Sequence, residues 1–150
     1  MMPLIQGLRL RYWLPAVFWC GFIFIMSTAF FSAENTALVI DPVLRFLIPG
    51  ISAPHVEALH GLIRKSAHVT EYFILGIFFF RAIHLGSRDK KALRSAFFAA
   101  AAVVLYAATD EFHQLFVPSR GASVIDVGID SSGGILAQIA SLLWHWRKPA

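Results

Sequence analysis

The 22 residues from Tyr12 to Ala33 contain no charged side chain. As a helix rising about 1.5 Å per residue, that run is long enough to cross a hydrocarbon core of about 30 Å. Lipid offers the backbone no hydrogen-bond partner, so a chain built around such segments is confined to helices or a closed barrel. Arg9 and Arg11 precede the run, which makes a cleaved signal peptide the competing reading. The length of the run favours a retained first span over about 12–33, as does Phe31 standing three places before a cut after Ala33, where a small residue is needed.

The rest of the chain is of the same kind. Hydrophobic residues make up 57% of the 150 and charged residues only 15%, with a mean hydropathy of +0.65, a balance that excludes an ordinary soluble globule. Further spans are expected at about 66–85, 93–116 and 124–146. The expected fold class is therefore all-α: a polytopic membrane protein with four transmembrane helices in an antiparallel bundle, forming a single domain. Between the first two spans, Pro42, Pro49, Gly50 and Pro54 punctuate a stretch too short to cross. From Pro54 to Lys65, Val56, Leu59 and Leu62 or Ile63 recur at helical spacing opposite Glu57, His60 and Arg64, which predicts a short interfacial helix before the second span. The single cysteine, Cys20, lies within the first apolar run and has no disulfide partner.

The net charge of +4 does not form a solvent-facing basic patch, so nucleic acid is not an expected partner. It reads instead as topology. With the N-terminus inside, the cytoplasmic ends hold Arg9, Arg11, Arg81, Arg88, Lys90, Lys91, Arg94, Arg147 and Lys148 against one acid, Asp89. The opposite side holds Arg45, Arg64, Lys65 and Arg120 with eight acids. The positive-inside rule then places both termini on the cytoplasmic side, with membrane lipid as the surrounding partner. Tyr12, Trp13, Trp144 and Trp146 read as interfacial anchors, and His55, His60, His84 and His145 as interfacial side chains outside any ligand set.

Span length decides where the polar residues lie. The uncharged run Ser95–Thr109 is 15 residues, about 22 Å as a helix, so the third span must draw in the turn carrying Asp110 and Glu111. The fourth draws in Asp130 and approaches Asp126; the second includes Glu71 and His68. Arg64, His68, Glu71, Tyr72 and Leu75 share one helical face, as do Tyr106, Asp110, His113 and Gln114 with Glu111 at the edge. Asp126, Asp130, Gly133 or Gly134 and Ala137 form a third. Ionisable groups at one depth normally face a bundle interior and find partners there, so the three faces are expected to meet in one outward pocket.

Glu71, Asp110, Glu111 and His68 are the candidates for acid–base catalysis. Arg120, Gln114, Lys65, Tyr72, Asp126 and Asp130 are the candidates for holding a ligand, Arg120 by bidentate contact with an anion. For the His68 and Glu71 pair, a metal half-site, a proton relay and a local structural pair all stand open. A divalent metal among His68, Glu71, Asp110, Glu111 and His113 is one cofactor candidate, the oxygen-rich set suiting a hard cation or zinc. No Gly-rich phosphate loop, nucleophile elbow or paired-cysteine motif occurs.

KSAHVTEYFILG (Lys65 to Gly76) and TDEFHQLFVPSRGASVIDVGIDSSGG (Thr109 to Gly134) resemble the two signature blocks of the VanZ-like family of bacterial membrane proteins. The first block matches at Lys65, His68, Tyr72, Leu75 and Gly76. The second matches at Asp110, Glu111, Gln114, Phe116, Pro118, Arg120, Asp126 and Gly133. MSTAFFSAE resembles the polar end of that family's first span. Asp130 stands where the family usually has Asn, adding a carboxylate, and Ser119 where Gly is common. The resemblance implies a four-helix plasma-membrane protein from a family linked to resistance to glycopeptide antibiotics such as teicoplanin. It implies no known reaction. Two functions are therefore expected in competition. One is an envelope hydrolase or transferase acting on a lipid-linked cell-wall precursor. The other is a noncatalytic accessory protein whose polar cluster is a structural ion-pair network, presenting a site for a lipid, a partner or a glycopeptide antibiotic.

Overall fold

The computed structural model describes residues 2–87 and 91–147, with side chains from Leu10 onward. The side chain of Arg9, and Arg88, Asp89, Lys90 and Lys148 from the expected charge set, lie outside the described residues. Five α-helices are described: α1 (Met2–Met26), α2 (Ala33–Leu47), α3 (Ala53–Gly86), α4 (Ala92–Gln114) and α5 (Val124–Trp146). A short 3-10 turn, Ala29–Phe31, separates α1 from α2. Among the described residues α3 and α4 are long and apolar enough to cross a membrane, and α1 with α2 makes a third candidate if that bent pair is one span.

The first expected span does not run unbroken to Ala33. It stops at Met26, and the chain turns by 67°. The hydroxyls that follow cause the break. Thr28 Oγ1 donates to the Ile25 carbonyl at 2.7 Å, Ser27 points away to α4, and Ser32 caps α2 by accepting from Asn35 N. Side chains that compete for the backbone in this way weaken a helix interior and favour a new start.

The α2 helix itself is a correction to the sequence reading, which placed no helix between Ala33 and Pro54. Pro42 had the look of punctuation, yet it lies inside α2. What forms the helix is amphipathicity: Leu38, Val39, Val43, Phe46 and Leu47 are exposed on one side, while Thr36, Asp41 and Leu44 turn towards α3. A second correction concerns the short interfacial helix expected before the second span. It is no separate element, because α3 continues without interruption from Ala53 to Gly86. One interior glycine, Gly61, costs only about 1 kcal/mol of helix propensity and does not stop a continuous pattern.

The helices expected over 93–116 and 124–146 stand close to those limits, at Ala92–Gln114 and Val124–Trp146. The hub of the fold is α3, which contacts α1, α2, α4 and α5, while α5 also packs on α4. Tyr72, Leu75, Val103, Ala107 and Ile23 fill the shared core, and large apolar side chains such as Phe18, Phe97, Leu105 and Phe112 remain on the outside. That inversion of the soluble pattern suits a lipid solvent.

Small residues let α5 approach α3 and α4 closely. A Cβ at Gly133 would run into the Val69 carbonyl oxygen, and one at Gly134 into the Val103 side chain. A Cβ at Gly76 would stand 2.7 Å from that of Ala137. Packing of this kind substitutes for the hydrophobic effect where lipid is the solvent. Gly133→Ala is accordingly expected to destabilise the fold by about 1–3 kcal/mol, whereas Gly128→Ala, which meets nothing within 4 Å, is expected to be neutral or stabilising. Thermal unfolding in detergent reads both, and equal melting temperatures for the two variants would refute the close packing.

Candidate functional site

The break after α1 frees backbone carbonyls that must find donors, and two arginines supply them. Arg120, in the α4–α5 connection, donates from one terminal nitrogen to Met26 O at 2.6 Å, Phe31 O at 2.7 Å and Thr28 O at 3.3 Å. Arg64 on α3 donates to Phe31 O at 3.1 Å and to Thr36 Oγ1 at 2.9 Å. Burial, followed by the neighbouring charge of Arg64, pulls the Arg120 pKa below its usual value. A guanidinium nevertheless stays protonated in proteins, so the corner carries fixed positive charge.

The carboxylates divide by what they hold. Asp110 Oδ2 accepts from Ser27 Oγ at 2.7 Å and from Gln114 Nε2 at 3.2 Å, tying the end of α1 to α4. Glu111 Oε2 accepts from Ser123 N at 2.8 Å and so anchors the start of α5. Asp130 is fully buried, with Oδ1 3.2 Å from His68 Nδ1. His68 is thus the partner of Oδ1, an ion pair when the imidazole is protonated, while Oδ2 meets no hydrogen-bond partner among the described residues. The Tyr72 hydroxyl and Arg120 Nε are likewise buried without one.

Two cavities open around these groups. The larger, about 230 Å³, is lined by Arg64, Lys65 and Arg120 on the cationic side and Glu111, Asp126 and Asp130 on the anionic side, with His68 and Gln114 between them. The smaller, about 190 Å³, lies under α2 and is lined by Ser27, Thr36, Glu71 and apolar side chains including Ile40 and Ile63. Arg64, His68 and Arg120 border both. Since His68 Nδ1 faces Asp130, its Nε2 is the nitrogen left for the cavities, the arrangement in which a carboxylate orients an imidazole for proton transfer.

Most of the residues picked out by helical spacing thus come together, in differing roles. Lys65 lines the larger cavity while staying exposed. Glu71 borders only the smaller one, and its backbone carbonyl accepts from Trp19 Nε1 at 2.8 Å. Tyr72 is fully buried beneath the site. His113 departs from the set: its ring packs 4.5 Å from that of Phe24, and it lines neither cavity. No group of three or more His, Cys, Asp and Glu side chains among the described residues is arranged to hold a metal ion. The five metal candidates therefore do not converge as a ligand set.

Several participants escaped the sequence reading. Ser27 was seen only as part of MSTAFFSAE, with no role of its own, and Trp19 and Thr36 lie in stretches that showed only apolar or loop character. His60, expected at the interface, is buried, with Nε2 3.1 Å from Thr36 Oγ1 and Nδ1 3.5 Å from Asp41 Oδ1. This chain from Asp41 to Arg64 latches α2 onto α3. The i, i+4 spacing of His60 and Arg64 on one helical face was the available signal. Ser119 has φ 65, the left-handed region that favours glycine, which accounts for glycine being common there in the family the sequence resembles.

Removing one member of the Ser27 and Asp110 contact leaves a buried carboxylate short of a donor. Ser27→Ala is expected to cost about 1–3 kcal/mol in the native background and far less in Asp110→Asn, where no charge remains to be satisfied. A double-mutant cycle of detergent unfolding checks the coupling, and additive effects would dismiss the contact.

Comparison with known proteins adds one result. No curated protein and no solved structure matches the chain. A family model does match, that of VanZ/LLP1, over residues 12–145, which takes in every group lining the two cavities. A span of that extent, containing both signature blocks, makes the chain a member of the VanZ/LLP1 family.

Proposed function

We propose that this VanZ-family chain is a four-span protein of the bacterial plasma membrane, with both termini cytoplasmic and the polar cavities at its outer face. In this reading α1, α3, α4 and α5 cross in alternating directions. The polar groups that lower the hydropathy of α5, among them Asp130, Gln138 and Ser141, are buried against its neighbours, so lipid does not meet them. The described basic residues Arg81, Lys91, Arg94 and Arg147 support the orientation through the positive-inside rule.

The cavities would take the anionic head group of a lipid-linked cell-envelope ligand. The supporting observation is the juxtaposition of His68, oriented by Asp130, with a cationic wall of Arg64, Lys65 and Arg120. The cations hold a phosphate or carboxylate. His68 moves a proton to or from the bond beside it, with Glu111 a further acid in the larger cavity and Glu71 in the smaller. A hydrolase or transferase acting on a phosphate-bearing lipid uses both features together.

A second reading has its own observation. Arg120 spends one nitrogen on three backbone carbonyls, and Asp110 and Glu111 are each engaged by a neighbouring element. A noncatalytic accessory protein that presents this stabilised face to a precursor or to a glycopeptide would need no more. The family's link to teicoplanin resistance fits either reading.

The two separate on turnover. Purified protein reconstituted with a polyprenyl phosphate or a lipid-linked cell-wall precursor is expected to convert it. His68→Gln is expected to lower the rate by about 10²–10⁴-fold while leaving lipid binding intact, and because it strips buried Asp130 of its partner the rate is read on protein shown to be folded. Binding of these lipids with no turnover would sink the enzyme reading and leave the accessory one. For the topology, a cysteine at Ala122 in a Cys20→Ser background should react with an impermeant maleimide on intact cells. One at Lys91 should react only after permeabilisation, and the reverse pattern would invert the protein in the membrane.

A further inference from the structure

A cavity larger than either of those at the family site lies elsewhere. It is a groove of about 590 Å³ between the C-terminal halves of α3 and α5, walled by Phe80, Ala140 and Trp144 and edged by Arg81, His84 and His145. His84 lies 16 residues beyond His68 on the same helix, about 24 Å away by helical rise, so the groove is at the opposite end of the bundle.

Its walls are ordered. The rings of Phe80 and His84 stack at 5.4 Å, His145 meets His84 edge-on at 5.0 Å, and His84 Nδ1 lies 3.3 Å from Ser95 Oγ on α4. Among the described residues its charge is one-sided. No Asp or Glu occurs in Tyr72–Gly86, Ala92–Thr109 or Ser131–Trp146, while Arg81, Lys91, Arg94 and Arg147 all belong to this end of the helices. The family site, by contrast, balances cations against carboxylates.

We infer that this groove binds an anionic glycerophospholipid. One acyl chain lies along Phe80, Ala140 and Trp144, and the phosphate is held at the rim by Arg81, with the His145 imidazole beside it. An apolar trough ending in a rim that is cationic and shows no carboxylate among the described residues is the complement of an anionic lipid and selects against a zwitterionic one. The exposed Trp144 at the edge suits the boundary between acyl chain and head group. This site is independent of the proposed function: it lies on different residues and involves no reaction.

The test uses the full-length chain, delipidated in neutral detergent, with phosphatidylglycerol and phosphatidylcholine of identical acyl chains as probes. Native mass spectrometry and thermal shift are expected to show saturable retention of phosphatidylglycerol over phosphatidylcholine. Arg81→Gln, at an exposed position, should weaken that retention about fivefold, the worth of one basic residue near an anionic lipid. Ala140→Phe, which fills the trough, should abolish it, and Lys65→Gln at the family site should leave it intact. Equal retention of both lipids, indifference to Arg81→Gln and Ala140→Phe, or loss in Lys65→Gln would each overturn the assignment. So would a dimer that forms through Trp144 and excludes lipid.

Discussion

The close approach of α5 to α3 is the contact on which the rest of the molecule depends. Gly133 sets the α5 backbone against the Val69 carbonyl, and the residues that form the site's central ion pair are the nearest neighbours of that contact. His68 adjoins Val69, and Asp130 lies one turn before Gly133. A larger residue at Gly133 would separate the helices by the width of a side chain, and a 3.2 Å pair does not survive that. Packing and chemistry here are one constraint, because a helix pair in lipid has little but van der Waals fit to hold it.

The second constraint is the corner between α1 and α2. A broken helix at membrane depth is tolerated only where its freed carbonyls are satisfied by protein. Arg120 and Arg64 meet that need, and in doing so they fix the cationic wall of the cavities. Their charge is thereby shared between structure and site. Asp130 presents the opposite case, since it is fully buried with His68 as its one charged neighbour within 4 Å among the described residues and with Oδ2 left without a hydrogen-bond partner. An ionisable group kept in that condition inside a membrane protein points to function more than to stability.

The helical faces were legible before the fold was seen. Arg64, His68, Glu71 and Tyr72 follow a 3.6-residue period that no loop would keep, and three of the four border the cavities. His113 obeyed the same period and still turned towards Phe24, because a stripe about 100° wide on α4 touches α1 as well as the cavity, and spacing does not say which edge meets which neighbour. The α2 helix was hidden by Pro42 and by a length too short for a span. His60 was hidden because its partners, Thr36 and Asp41, lie 24 and 19 positions away, across a loop.

By itself the sequence determined the solvent, the helical class, the limits of the last two helices and the family, because apolar run length and motif spacing are local properties of the chain. Only the tertiary structure decided that the first apolar run breaks at Ser27, that Arg120 faces backbone carbonyls, and that His68 pairs with Asp130. Each of those outcomes is a choice among partners distant in the chain. It is settled by which helices can approach closely enough, and here glycine at 76, 133 and 134 settles it.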